Sequence, residues 1–393
     1  MNIYKKRRSN LIKESKAKLI IISANKPMQS SLDQSYDFVQ ENNFYYLTGL
    51  NIPGLTLIIT NKESIIITPK LSNYQKIFDG EINISEIKTS KVDKIFDFEA
   101  GEEMLYKLIS KNNKIHLLFD ETEKLESYGI VALPFRKVLI NKASQINPNA
   151  ELINLHPYIA QMRMIKDESE IEIIREAVRI TKQAIKKISN EKILAKINNT
   201  SELADRLILE MKRLGAEGWA FRPVISLNKA STVIHYVDLN QEIKMGDLIL
   251  VDVGCKYKNY CADISRSFVF GDSNERQIKL LDSVLKVQKQ LINEIKVGMN
   301  YEELEARTED LIFAELVDLG LLKGSEKDLL RDYYPHSVSH HLGLDTHDLS
   351  NYKTPLKENM IITVEPGIYV KKWGLGVRFE DDILITSKGA EVL

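Results

Sequence analysis

The chain has 393 residues, enough for two or three domains with separate cores. Lysine and arginine total 54 against 55 acidic residues, which argues against a broad nucleic-acid-binding surface, and 44% apolar with 28% charged residues excludes disorder as the default. The longest apolar runs, such as Leu19 to Ala24, are far too short to span a bilayer.

The basic start, Met1 to Arg8, is expected to be a solvated helix start, since no apolar segment of signal-peptide length follows it. Residues 4–18 read as a helix and Leu19 to Ala24 as a buried strand. The run Phe44 to Leu50 reads as an aromatic strand closed by Gly49. Leu55 to Ile59 and Ile65 to Thr68 follow as strands about a turn at 61–63. Helices are expected near 99–110 and 122–131, with a strand at Ile115 to Phe119. Alternating strands and helices predict an α/β domain with a partly parallel sheet. His116 and His156 are isolated and read as structural.

Turn signals cluster at Asn147-Pro148-Asn149 and His156-Pro157, placing a domain boundary near 157–165. Ile171, Ile174, Val178, Ile185 and Ile188 recur at helical spacing between Asp167 and Ser189. Further helices are predicted at 202–214, 274–295 and 301–319, with an extended stretch at 219–236. The last seventy residues alternate short strands with glycine turns.

Between these helices lies a predicted β-hairpin, 248–255 and 261–268, with one aspartate in each arm. A two-residue turn at Tyr257-Lys258 sets Asp252 directly opposite Asp263, with Cβ atoms roughly 5 Å apart. Two such carboxylates repel unless one takes a proton or a cation lies between them. The alternative is that one faces solvent at a strand end. In this register Cys255 points away from the aspartates and Cys261 towards their face, so the cysteines do not bridge, and a reducing cytoplasm is expected.

Four of the seven histidines, His336, His340, His341 and His347, fall in one segment beside glycine turns. Imidazole is a common metal ligand, and a satisfied core or surface histidine is the competing explanation for each. Glu365 ends an apolar run, and Pro366 biases it to an extended conformation. Period-two alternation puts Arg378, Glu380 and Asp382 on one face. Each of these two motifs alone is equally an edge strand with solvated charges.

Taken together, Asp252, Asp263, His340, Glu365 and Glu380, within Val251-Asp252-Val253-Gly254, Ala262-Asp263-Ile264-Ser265-Arg266, Ser339 to Asp348, Thr363 to Gly367 and Arg378 to Asp382, resemble the metallopeptidases of the creatinase, prolidase, aminopeptidase P and methionine aminopeptidase superfamily. That resemblance covers roughly 164–393. Gln40 to Leu50 is similar to the amino-terminal signature of aminopeptidase P, with Asn43, Val39 and Ser337 departing from the usual aspartate, arginine and glycine. The resemblance implies an α/β (α+β) protein: an amino-terminal creatinase-like α/β domain, 1–160, and a carboxy-terminal pita-bread catalytic domain, 161–393. It implies two divalent metal ions, expected to be Mn2+, held by Asp252, Asp263, His340, Glu365 and Glu380, with Asp263 and Glu380 shared between them.

It further implies removal of the amino-terminal residue from peptides with proline second, by a water bridging the two ions. Glu365 is expected to move the proton, with His235, His336, His347 and Arg378 around the substrate. Thr363 and Ser265 are candidate supports for the ligands, and Phe221 and Tyr369 candidate pocket residues. Such relatives are often dimers or tetramers. The rivals are a prolidase confined to Xaa-Pro dipeptides, a non-catalytic peptide-binding protein, and a creatinase-like hydrolase.

Overall fold

The computed structural model describes residues 2–119, 122–131 and 134–393. The chain divides into two compact units, 1–162 and 163–393.

The first unit is built on a six-stranded mixed sheet, in the order Lys94–Phe96, Ser64–Ile67, Thr56–Thr60, Leu19–Ser23, Lys114–Leu117, Glu151–Asn154. Leu19–Ser23 pairs antiparallel with Thr56–Thr60 and parallel with Lys114–Leu117, which makes the sheet partly parallel as expected. Leu19, Ile21, Ile58, Ile65, Leu105, Ile109 and Ile115 share one core.

Three local expectations fail in this unit. Residues Asn42–Thr48 form a helix, not an aromatic strand. Glu41 caps it, its carboxylate accepting the Phe44 N–H at 2.6 Å, and Gly49 ends it at φ 70°. These caps outweigh the strand preference of Phe44, Tyr45 and Tyr46. The basic start is helical as expected but only half solvated: Lys5 and Lys6 are exposed, whereas Arg7 and Arg8 are buried. Their guanidiniums donate to the carbonyls of Tyr46 and Leu47 at the end of that helix. Lastly, His156–Met164 is helical where a turn was expected, with Pro157 in its first turn, where a missing N–H costs nothing.

The second unit sets helices Glu168–Ile188, Thr200–Arg213, Glu275–Glu294 and Tyr301–Asp318 about short antiparallel sheets. Ile171, Ile174, Val178, Ile185 and Ile188 are all buried, as their spacing predicts. Capping boxes at Asp167/Glu170, Asn274/Gln277 and Asn300/Glu303 start three of these helices. Only Gly218–Trp219 and Val224–Leu227 within 219–236 are strand, and a 3-10 turn covers Asn228–Thr232.

The hairpin forms in a shifted register. Leu248–Val253 pairs with Ile264–Val269 so that Asp252 faces Ser265, not Asp263. The two-residue turn is Lys258-Asn259, with φ of 46° and 66°, the left-handed pair that matches strand twist. Asn259 tolerates that conformation; Lys258 gives no sequence signal for it. The parity survives the shift, so Asp252 and Asp263 remain on one face as diagonal neighbours.

All six residues of Leu248–Val253 are buried, each large aliphatic side chain contributing about 1.5–3 kcal/mol, which makes this a rigid platform. Just beyond it, a Cβ at Gly254 would lie 1.7 Å from the Ala262 carbonyl oxygen. Gly254→Ala is therefore expected to destabilise the protein by about 1–3 kcal/mol or more through overpacking, read as a lower urea midpoint. An unchanged midpoint would show that the arms separate freely.

Candidate metal centre

Five of the side chains singled out from sequence converge in the second unit. Oxygen atoms of Asp263 and Glu380 and a ring nitrogen of His340 lie within 4.8 Å of one another. His340 Nε2 is 3.4 Å from both Asp263 Oδ2 and Glu365 Oε1. Asp252 joins through Arg378, whose Nη2 donates to its Oδ2 at 2.5 Å and whose Nε donates to Ser265 Oγ at 2.9 Å.

The strands explain the convergence. Arg378 ends Leu375–Arg378, Glu380 lies in the crossing between two sheets, and Asp382 is the second residue of the strand Asp381–Thr386. Each of the three contacts the stretch 263–265: Arg378 Nε and Glu380 Oε2 meet Ser265 Oγ, and Asp382 Oδ2 accepts the Asp263 N–H. Ser265 Oγ donates to Glu380 Oε2 at 2.6 Å. Thr363 Oγ1 accepts the His340 N–H at 3.1 Å and donates to Glu365 Oε1 at 3.2 Å.

His340 Nδ1 is 3.0 Å from the His341 carbonyl, which can only accept, so Nδ1 carries the proton. Burial, with His347 beside it, pushes the imidazole down to about 3. Nε2 therefore presents a lone pair to two carboxylate oxygens, an arrangement that is repulsive as it stands. Burial and the Glu380 charge push Asp263 well above the usual carboxylate range. Burial and the Glu365 charge do the same to Glu380. Burial raises Glu365 to about 8 against the pull of Arg378. Asp252 Oδ1 and Asp263 Oδ1 are buried without a hydrogen-bond partner among the described residues.

The residues fit a metal ion: a cation would satisfy the orphaned carboxylate oxygens and the outward-facing imidazole lone pair without protonating the carboxyls, and oxygen donors with one nitrogen suit a hard divalent ion.

The remaining predicted residues differ in how closely they approach. His347 is exposed, its ring 4.3 Å centre to centre from His340. His336 Nε2 accepts from Tyr369 Oη at 2.9 Å, since its Nδ1 is engaged by the Ser337 carbonyl at 2.8 Å. His235 is exposed, and its charge acts on His336. Arg378 is buried, and its guanidinium donates to Ser265, Asp252 and Tyr369. Tyr369 is likewise held between Arg378 and His336 and does not stand free as a pocket wall. Phe221 packs beside Gly254.

Sequence reasoning missed the clamp on the histidine segment. Asp348, fully buried, is ion-paired to Arg163 and, at 3.1 Å, to Lys166, and Arg163 also reaches Asp345 at 2.7 Å. Burial alone would raise the Asp348 carboxyl; the two cations bring it below its ordinary value. A Cβ at Gly343 would sit 2.4 Å from Asp348 Oδ2, so this glycine lets the segment close over the clamp. The available signal was two cations, Arg163 and Lys166, flanking the apolar pair Met164-Ile165. Glu305 is a second omission: it accepts the Val338 N–H at 2.9 Å and the Tyr334 hydroxyl at 3.3 Å.

Residues 172–387 match the model of metallopeptidase family M24, and residues 4–118 match that of the aminopeptidase P N-terminal domain. The chain is similar to the Xaa-Pro aminopeptidase of Escherichia coli (strain K12), 28% identical over 99% of this chain and 93% of that protein. It is similar to the Xaa-Pro dipeptidase of Pyrococcus furiosus, 30% identical over 93% of this chain and 98% of that protein. Among solved structures, the low-pH form of Escherichia coli aminopeptidase P aligns with TM-score 0.89 and 26% identity, covering 99% of this chain and 94% of that one.

Proposed function

Because the chain belongs to metallopeptidase family M24, we propose that it is a metallo-aminopeptidase removing the amino-terminal residue from peptides with proline in second position. The observation that carries this is the His340 lone pair aimed at the Asp263 and Glu365 carboxylates, beside the orphaned Oδ1 atoms of Asp252 and Asp263. A peptide-binding scaffold without catalysis has no need of such a cluster.

In this proposal Asp252, Asp263, His340, Glu365 and Glu380 would hold two divalent ions, Mn2+ by donor type. When bound, the ions supply Lewis acidity and lower the pKa of water. Glu365, oriented by the Thr363 hydroxyl, takes the water's proton and passes it to the leaving amine. His347, exposed beside His340, and His235 hydrogen-bond the substrate, and His336 bounds the site. The scissile bond is a tertiary amide with no N–H, so recognition rests on the proline ring and the carbonyl. Residues 1–160 form the aminopeptidase P amino-terminal domain and 161–393 the catalytic domain. A cytoplasmic homo-oligomer, dimer or tetramer, without nucleic-acid partners completes the proposal. No helix among the described residues is long and apolar enough to cross a membrane.

Metal analysis with peptide cleavage tests this. The wild type is expected to hold two Mn2+ per chain and to cleave Xaa-Pro-Xaa peptides, and Asp263→Ala to lose metal and turnover together. Wild-type activity confined to Xaa-Pro dipeptides would favour the prolidase reading that the Pyrococcus likeness supports. Full turnover by the variant would remove Asp263 from the ligand set.

The raised carboxyl groups also set a pH dependence. An acid whose folded pKa lies above its unfolded value stabilises the fold below the unfolded pKa, and that contribution is lost as pH rises through the folded pKa. For Glu365 the window runs from 4.5 to about 8. Chelator-treated protein is expected to melt at progressively lower temperature across that window, while the Mn2+-loaded protein is spared. Parallel melting curves with and without Mn2+ across this range would contradict it.

A further inference from the structure

Each candidate ligand carboxylate but one has a side chain that holds it. Arg378 holds Asp252, Thr363 holds Glu365, and Ser265 holds Glu380. Asp263 has no such holder among the described residues: its Oδ1 is without a hydrogen-bond partner there, and its Oδ2 faces the His340 lone pair. The orientation of this residue depends on its backbone.

That backbone is not in a ladder. The strand Ile264–Val269 begins one residue later, and the pairing before it ends at Cys261. The Asp263 N–H donates instead to Asp382 Oδ2 at 3.0 Å. Asp382 is a firm anchor. It is fully buried, it pairs with Thr363 in the neighbouring strand, and its carbonyl accepts the Leu393 N–H at 3.0 Å. A buried carboxylate is costly to retain, and its Oδ1 has no partner among the described residues, so a purely structural contact is a poor account of it.

We propose that Asp382 is a positioning residue: by gripping the Asp263 amide it orients the Asp263 carboxylate to hold metal. This rests on the two-ion reading above. The acceptor oxygen, not the packing volume, is the feature that matters.

The test uses the full-length protein, stripped with chelator and titrated calorimetrically with Mn2+, followed by steady-state kinetics on an Xaa-Pro-Xaa peptide. Asp382→Ala and Asp382→Val remove the acceptor in two sizes, so that misfolding of one leaves the other informative, and Asp382→Asn restores an acceptor oxygen. The first two are expected to bind the weaker ion about 10- to 100-fold less tightly, with kcat lowered and KM little changed. Asp382→Asn is expected to return close to wild type in both. Wild-type Mn2+ affinity in Asp382→Ala or Asp382→Val, or an Asn variant no better than these, would overturn the assignment. A wild type that takes up no Mn2+ would instead overturn the two-ion reading, and this assignment with it.

Discussion

Replacing Glu365 by glutamine is expected to lower kcat on an Xaa-Pro-Xaa peptide by about 10²- to 10⁴-fold, the usual worth of a positioned proton carrier. The amide keeps the shape of the side chain, and its oxygen can still accept from Thr363, so the fold is not disturbed. It cannot move a proton, and it removes one negative charge from the cluster. Measuring kcat at rising Mn2+ separates the two effects. A deficit that persists at saturation belongs to proton transfer, and recovery to within tenfold would assign Glu365 to ion binding alone.

Arg378→Met is expected to cost about 3–5 kcal/mol of stability, the penalty for breaking a buried ion pair from one side. Methionine matches the length of the arginine stem, but it leaves Asp252 Oδ2 uncompensated and withdraws a donor from both Ser265 and Tyr369. Arg378→Lys is expected to rescue little, because three partners in three directions need the planar guanidinium fork. Urea denaturation with and without Mn2+ gives the measure. A loss under about 1 kcal/mol would mean that the site relaxes or hydrates around the gap.

Much of this architecture was legible locally. The helix at 168–188 declared itself through the spacing of its apolar residues, and the acidic residues of the centre stood out as charges ending or interrupting apolar runs. What escaped prediction depended on geometry that residue type does not encode. A non-glycine residue at φ 46° moved the hairpin register, and Asp252 met Ser265 instead of Asp263. Three consecutive aromatics suggested a strand, yet a carboxylate before them and a glycine after them decided for a helix. Arg163 and Asp348 are 185 residues apart, and no local pattern announces such a pairing. The hydroxyl of Tyr369 joins Arg378 to His336, a link that no local pattern announces.

The hairpin also carries both cysteines of the chain, and the fold renders them chemically quiet. Cys255 and Cys261 are buried, and burial pushes their thiols up to about 11 and about 12, leaving almost no thiolate at neutral pH. Maleimides and iodoacetamide are thus left without a native target. A single cysteine introduced on an exposed residue would take up a fluorophore or spin label on its own, with no need to delete the natural pair first.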